Sequence, residues 1–254
     1  MRRTTGGLAA LALLFAAACK GEGAGEAAAT ASASATASSA PLAPAGERPF
    51  TVIPNILADD IGITIGPEKI DLSVATGPGK LKETVARIPK VEGKLVVRAM
   101  KKAKLGDVGA LLAALGEAGV GTVLLKMDGG RTDLPAEITI VPESRLASAD
   151  DCSVVASVLG DLSTGVWTVK GGGGKKARRG YAGPDVTVTG EFVTDALKAC
   201  KSKTAFFSAN DKLAFEHAFH MGALIDKLDT DKRIDRLVFL RTEPVAGRRL
   251  ELGK

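Results

Sequence analysis

The sequence predicts an α/β (α+β) fold made of two tandem small β-β-α-β-α-β units, each a mixed sheet with two helices on one face. Short apolar runs bounded by glycine and proline alternate with segments in which apolar residues recur at helical spacing. The same order of elements occurs twice, roughly a hundred residues apart, which indicates an internal duplication. Each unit is near the lower size limit for a stable core, so the two are expected to pack together.

The first unit is expected to occupy residues 50–147. Its strand–turn–strand, helix, strand, second helix and two further strands are predicted at 61–75, 77–88, 95–99, 107–119, 122–126 and 136–142. Leu81 and Val85 lie on one face of the first helix. The second helix is expected to begin at a carboxylate N-cap, Asp107, and to close on Gly119.

The second unit is expected to occupy residues 148–254. Its strand–turn–strand, helix, strand, second helix and strand are predicted at 152–171, 188–200, 204–209, 212–228 and 236–241. Thr189 is the predicted cap of its first helix, which has Phe192 and Leu197 on one face. A last segment, 247–252, is expected to pair at a sheet edge.

The chain begins with a segment typical of export. Two arginines precede an apolar run, residues 8–18, that is too short to cross a bilayer core of about 30 Å. Residues 1–18 are therefore predicted to be a signal peptide. Small residues before Cys19 resemble a bacterial lipobox, in which Cys19 carries the lipid. The alternative is an ordinary cleaved signal with an incidental cysteine.

Residues 19–49 are rich in Ala, Ser, Thr, Gly and Pro and have almost no large apolar side chain. Such a composition cannot bury a core, so it predicts a disordered tether. The folded part is then expected on the periplasmic side of a bacterial envelope, with inner or outer membrane left open. Losing the two signal arginines lowers the formal charge of +5 by two, and export argues against a nucleic-acid partner.

Cys152 and Cys200 are the cysteines that remain after Cys19. An even pair in an oxidising compartment favours a disulfide. Two buried thiols are the alternative, because sequence spacing gives no geometry.

The most prominent local feature is the segment 171–184, GGGGKKARRGYAGP. Its cations, Lys175, Lys176, Arg178 and Arg179, are candidates for contact with an anion or a partner. The segment is not a P-loop, which requires Ser or Thr directly after the lysine. The alternative to a basic finger touching anionic lipid or cell-wall polymer is a mobile, solvated connection.

No residue pattern predicts catalysis, a metal site or a cofactor. His217 and His220 share a helix face, but a zinc site needs three or four ligands and the sequence has no further histidine. Both are therefore expected at the surface or at an interface. No serine occupies a Gly-x-Ser-x-Gly elbow.

In the first unit, a strand that ends in Val-Arg-Ala at 97–99 is followed by Lys101, Lys102 and an amphipathic helix. Then come Leu-Gly-Glu-Ala-Gly at 115–119 and an apolar strand at 123–125. This order resembles the periplasmic domain of the ExbD/TolR family of biopolymer-transport proteins. The likeness covers roughly residues 60–127, and over the second unit it is one of pattern only.

The resemblance implies a role in the cell envelope. Members of the family are inner-membrane partners of a proton channel, and their periplasmic domains dimerise and contact a TonB-like transducer or the cell wall. The family's transmembrane helix with its proton-binding aspartate has no counterpart here, so the proton-motive function is not carried over. The acid that usually follows the strand-ending alanine is Met100 in one unit and Asn210 in the other.

Composition, duplication and resemblance together lead us to expect a non-catalytic envelope lipoprotein. It is expected to act as a protein-interaction scaffold, accessory to an ExbD/TolR/TonB-like biopolymer-transport complex, with its two units packed as an internal pseudo-dimer. A solute-binding lipoprotein with a ligand between the units is the alternative, and it requires a pocket at their junction. An enzyme would require clustered, perturbed ionisable groups in a cleft.

Overall fold

The structure, a computed structural model, describes residues 48–252. The expected signal peptide, Cys19 and nearly all of the expected tether therefore lie outside the described residues. The predicted fold class is confirmed, because the described chain contains two mixed sheets, of six and five strands, and four α-helices. None of its helices has both the length and the apolar content needed to cross a membrane.

The first half alternates short strands with two helices. Its elements are β1 (Ile56–Ala58), β2 (Ile63–Ile65), β3 (Glu68–Ile70), α1 (Gly77–Ala86), β4 (Lys94–Met100), α2 (Leu105–Glu117), β5 (Thr122–Asp128) and β6 (Glu137–Ile140). Residues along β4 are exposed and buried in turn, which is the pattern of a sheet with one face on the core and one in solvent.

The second half has the same character but more continuous burial. After a 3-10 turn at Glu143–Arg145, its elements are β7 (Val154–Val158), β8 (Thr164–Thr168), β9 (Lys175–Ala177), α3 (Val186–Ala199), β10 (Thr204–Ala209), α4 (Phe215–Leu228) and β11 (Arg236–Phe239). Every residue of β7 and β10 is buried, so this sheet is covered on both faces.

The two sheets share one topology. The first has the order β3-β2-β1-β4-β5-β6, and the second has the order β11-β10-β7-β8-β9. When the second sheet is listed from β9 to β11, its five strands correspond in order to β3, β2, β1, β4 and β5 of the first sheet. The first sheet has β6 as an additional edge strand. In both, the central pairs β1–β4 and β7–β10 are parallel, and the strands before the first helix are antiparallel.

The predicted order of elements is wrong in one respect, since three strands rather than two precede the first helix in each half. The expected strand–turn–strand at 61–75 is β2–β3, whereas the one at 152–171 is β7–β8. The missed strands are β1, which has three residues, and β9, which is Lys-Lys-Ala after four glycines. Glycine and lysine are depleted in strands, so pairing with β8, rather than local propensity, defines β9.

Two predicted helix caps are also wrong. α2 begins at Leu105, with Asp107 in its first turn rather than at the cap. α3 is capped by Asp185, whose Oδ1 accepts hydrogen bonds from the amides of residues 187 and 188 at 3.1 Å. Thr189 lies inside α3, where its hydroxyl is 2.6 Å from the hydroxyl of Thr164 on β8. Gly119, at φ 94°, does follow the end of α2 as predicted.

The predicted edge segment 247–252 forms no strand. The amide of Leu250 donates to the carbonyl of Val169, the residue after β8, at 2.8 Å. Leu250 and Leu252 instead pack on the outer face of the second sheet, against a cluster that includes Trp167 and Phe206.

Equivalent residues of the two halves contact each other. β4 and β10 begin at residues 94 and 204, and α2 and α4 begin at 105 and 215, so Lys104 corresponds to Ala214. These two residues form an antiparallel β-bridge with one another. Beside it, the amide of Phe215 donates to the carbonyl of Ala103 at 2.9 Å. An antiparallel pair of equivalent residues is what a local two-fold relation produces.

One hydrophobic core runs through both halves. It includes Leu111 and Ile138 from the first half and Phe207 and Phe219 from the second. The two halves pack closely at Gly222 in α4, where an added Cβ would lie 2.9 Å from Cδ1 of Ile138 and 3.1 Å from the ring of Phe207. The halves are therefore parts of one compact unit rather than separate domains.

The outer faces of the two sheets differ. In the first sheet, Val96 and Met100 of β4 are 43% and 41% exposed. In the second sheet, the outward residue at the position equivalent to Val96 is Phe206, which is fully buried. The outer face of the second sheet is covered by one chain segment that precedes β7 and by another that follows β11. The residues that pack on this face are Val141, Leu146, Ala149, Leu250 and Leu252.

Candidate functional site

Within the basic segment 171–184, residues Lys175–Ala177 form β9, the edge strand of the second sheet, and the residues on either side form loops. Lys175 and Lys176 belong to β9, and acidic side chains hold both. The ammonium of Lys175 lies 2.8 Å from a carboxylate oxygen of Asp195 and 5.2 Å from the ring centre of Phe192. The ammonium of Lys176 lies 3.3 Å from a carboxylate oxygen of Asp161.

The two arginines have no such partners. The guanidinium groups of Arg178 and Arg179 form no hydrogen bond or ion pair with any residue in the described part of the chain, and both side chains are exposed. They line a recess of about 640 Å³ together with Lys176, Asp161 and Ser163. Three cations and one carboxylate leave this recess with two net positive charges.

The carboxylate in this recess stays ionised over the ordinary pH range. The hydroxyl and the backbone amide of Ser163 donate to Asp161, and the ammonium of Lys176 lies beside it. These contacts lower the pKa of Asp161 to about 2. The four predicted contact residues are thus two anchored lysines and two free arginines.

A second pair of arginines lies at the other end of β9. The amide of Gly172 donates to the carbonyl of Gly247 at 2.7 Å, which holds the glycine loop against the C-terminal segment. An added Cβ at Gly171 would lie 2.5 Å from the backbone nitrogen of Arg249, and the φ of Gly171 is 81°. Glycine is therefore required there by space and by conformation. The contact brings Arg248 and Arg249 beside the basic segment.

Cys152 and Cys200 are joined by a disulfide, with their Cα atoms 5.6 Å apart. Of the two alternatives that the sequence leaves open, this is the one present in the structure. The bridge ties Cys152, two residues before β7, to Cys200, the C-cap of α3. It therefore fixes the end of α3, which carries Asp195, relative to the sheet that carries β9.

Two adjoining cavities lie at the junction of the halves. One, of about 480 Å³, is bounded by the turn at 180–187, by Arg131 of the β5–β6 loop and by α4. The other, of about 530 Å³, lies between α3, α4 and the same loop. Arg131, Val186 and Thr187 line both. The guanidinium of Arg131 holds Asp133 through two hydrogen bonds of 2.9 Å, which leaves this loop compact.

His217 and His220 line the first of these cavities and are half-buried. Nδ1 of His217 and Nε2 of His220 are buried atoms without a hydrogen-bond partner among the described residues. Burial lowers the pKa of both imidazoles, and that of His220 falls to about 4. Both are therefore neutral at pH 7, and each presents one donor and one acceptor nitrogen.

The cleft at the junction brings hydrogen-bonding and ionisable groups together. Arg131 and the neutral histidines face it from one side, and Tyr181 and Glu216 contribute to its wall. Within residues 48–252, no three or more His, Cys, Asp or Glu side chains are grouped so as to hold a metal ion. What the arrangement can do chemically is bind a polar group.

Sequence reasoning considered a pocket at the junction only under the alternative function, and it identified neither the residues that line the cleft nor the second arginine pair. The cleft combines a loop near residue 131 with helices that begin at 186 and 215, and periodicity carries no information on such distant contacts. One signal was present for the arginine pair. A run of four glycines allows another backbone segment to approach closely, which the C-terminal segment does.

Comparison with known proteins gives no match. The chain matches no family model, no curated protein and no solved structure.

Proposed function

We propose that this chain is a non-catalytic envelope lipoprotein that acts as a protein-interaction scaffold, accessory to an ExbD/TolR/TonB-like biopolymer-transport complex. The observation that carries the proposal is the open outer face of the first sheet. That face belongs to the half whose residues resemble the family, and along β4 its exposed apolar residues Val96 and Met100 alternate with the charged Lys94 and Arg98. Apolar groups ringed by charges are typical of a surface that binds a protein partner.

The contact between equivalent residues supports the pseudo-dimer part of the proposal. The Lys104–Ala214 bridge and the packing of α2 near α4 are the contacts of a symmetric pair within one chain. Members of the resembling family dimerise through their periplasmic domains. A covalent pair achieves such an arrangement without depending on concentration, because the second unit is always present.

Crosslinking in intact envelopes tests the proposed partner. A photo-reactive residue at position 96 or 100 is expected to crosslink to an inner-membrane proton-channel subunit or to a TonB-like protein, identified by mass spectrometry. The same residue at Lys203, which is exposed on the second half, serves as the control. Equal crosslinking from position 203, or products made only of abundant unrelated envelope proteins, would remove the support for this surface.

The lipid anchor is tested separately. We expect labelled palmitate to enter the chain, and Cys19→Ser to abolish the label and release the chain into the soluble periplasmic fraction. Cys200→Ser is the control. Cys200 lies in the disulfide, so this variant is expected to carry the same amount of label as the wild-type chain. A Cys19→Ser chain that remains labelled would show that Cys19 is not the acylated residue.

The junction cleft favours a second candidate, a solute-binding lipoprotein. Its supporting observation is that residues of both halves line two adjoining cavities, and that two neutral histidines line one of them. A small molecule retained in native mass spectra of the purified chain, and lost in His217→Leu/His220→Leu, would favour this function. If the wild-type chain carries no small molecule, or the variant retains it, the candidate loses its basis.

A further inference from the structure

The cations around β9 come from two distant parts of the sequence and lie along one edge of the molecule. We define the cationic edge as the residues Lys170, Lys175, Lys176, Arg178, Arg179, Arg248 and Arg249. Three of these have carboxylate partners: Lys175 with Asp195, Lys176 with Asp161 and Arg249 with Asp151. Seven cations less three acids leave four positive charges. They are carried by Lys170, Arg178, Arg179 and Arg248, whose side chains have no hydrogen bond or ion pair within residues 48–252.

The free charges lie at both ends of a strand that ends its sheet. β9 pairs only with β8, so its other side is open. At one end of β9 lies the recess of about 640 Å³ that Arg178 and Arg179 line. At the other end, the Gly172–Gly247 hydrogen bond holds the backbone of Arg248 beside Gly171, the residue after Lys170. The positive charge is therefore spread along an edge rather than gathered at one point, which suits an extended anionic surface.

An aromatic side chain projects next to this edge. The amide of Gly180 donates to the carbonyl of Gly183 at 2.7 Å and closes a turn with Tyr181 at its tip. Tyr181 is fully exposed, and it follows Arg179 by two residues. Tyrosine is enriched where a protein meets the headgroup region of a membrane, because its ring is apolar and its hydroxyl remains hydrated.

We propose that the cationic edge binds the surface of a membrane that contains anionic phospholipid, with lipid phosphate in the Arg178–Arg179 recess and Tyr181 at headgroup depth. Guanidinium groups bind phosphate oxygens through paired hydrogen bonds, and those of Arg178 and Arg179 are free to do so. The inference rests on the membrane anchoring in the proposed function but not on the proposed protein partner. A lipid on Cys19 would keep the chain close to the membrane, and cations near an anionic surface are attracted to it.

The experiment is vesicle co-sedimentation of the full chain that carries Cys19→Ser, so that acylation does not contribute. We expect binding to vesicles of phosphatidylcholine with phosphatidylglycerol, and little to phosphatidylcholine alone. Binding should disappear as NaCl rises from about 0.1 M, where the screening length is about 10 Å, to about 1 M, where it is about 3 Å. Equal binding to both vesicle types would overturn the proposal, because it would not require anionic lipid.

Matched charge variants locate the binding surface. Arg178→Gln/Arg179→Gln should lower the partition coefficient roughly tenfold to thirtyfold, because each cation near an anionic surface contributes about a factor of five. The control is Lys101→Gln/Lys102→Gln, an adjacent exposed pair in the first half. An equal loss in the control, or no loss in the arginine variant, would refute the assignment to this edge. Neither arginine has a partner to lose, so folding of the variant is expected to be unchanged.

Fluorescence quenching at position 181 tests whether the turn that carries Tyr181 contacts the membrane. Tyr181→Trp adds an exposed indole, whereas Trp167 is 3% exposed and serves as a shielded internal reference. Anionic vesicles should protect the new indole from acrylamide quenching, and zwitterionic vesicles should not. Protection by insoluble cell-wall polymer, with none by vesicles, would overturn the membrane assignment in favour of the polymer. Crosslinks from position 96 should persist in Arg178→Gln/Arg179→Gln, so failure here is distinct from failure of the proposed partner.

Discussion

The outer faces of the two sheets are built on one topology and end in opposite states. At equivalent positions the first sheet has Val96 and Arg98, and the second has Phe206 and Ser208. The first pair is exposed, and the second pair is buried beneath the chain's own segments. The inward faces of both sheets bury apolar residues against helices in the same way. The comparison shows that this topology constrains only the inward face, and that outward residues decide whether the other face is solvated or covered.

The largest expected effect is at the equivalent positions 96 and 206. Phe206→Ala should lower the free energy of unfolding by about 3–5 kcal/mol, because it leaves a cavity under the covering segments. Val96→Ala should cost less than about 1 kcal/mol, since the side chain is already partly in water. Denaturant unfolding of both variants measures the difference. Equal losses would show that the outer face of the first sheet is covered in solution.

The disulfide makes a second difference between the halves, because the first half contains no cysteine. Cys152→Ser/Cys200→Ser should lower the free energy of unfolding by about 2–4 kcal/mol, since the bridge closes a long loop in the unfolded chain. A reducing agent should destabilise the wild-type chain by a similar amount and leave the variant unchanged. A variant that still responds to reductant would contradict this origin of the effect.

Equivalent positions 107 and 217 hold ionisable groups that burial affects in opposite directions. Burial raises the pKa of Asp107 and lowers that of His217, and the pKa of nearby His220 falls to about 4. A histidine whose folded pKa is depressed stabilises the fold above its unfolded value, near 6.5, because the unfolded state binds the proton more readily. That contribution is lost as pH falls from about 6.5 toward about 4.

His217→Gln/His220→Gln should therefore flatten the acid-side loss of stability between these two pH values. The groups that face His220 include Arg131, Asp133 and Lys101, and they are unchanged in the variant. Unfolding in denaturant at several pH values measures the slope. A variant with the wild-type slope would assign the acid sensitivity to other groups.

The smallest expected effect is on the charges of the open face. Arg98 lies 2.7 Å from Asp128 on the neighbouring strand, and both side chains are substantially solvated. Asp128→Asn should cost less than about 1 kcal/mol, and the difference should shrink as salt rises. The equivalent of Arg98 in the covered sheet, Ser208, instead donates to the carbonyl of Leu240 at 3.2 Å. A loss of several kcal/mol in Asp128→Asn would mean that the open face is less solvated than its exposure indicates.

The sequence was sufficient to predict the duplication, the class of fold and all four helices, because each helix carries its own apolar period. It was insufficient where tertiary pairing overrides local preference. β9 is a strand because β8 pairs with it. The N-cap of α3 is Asp185, which directly follows Pro184, rather than the predicted Thr189. The four basic residues 175–179 were found from composition, but their division into paired lysines and free arginines depends on Asp161 and Asp195, which come from other elements.

The bridge between Lys104 and Ala214 has a consequence for the valency of this molecule. A homodimer of identical units would present two identical outer faces and would join two copies of whatever binds them. In this chain the contact between equivalent residues is made internally, and only one of the two faces is open. If the proposed partner binds that face, we expect one partner for each chain and no crosslinking of partners into larger arrays.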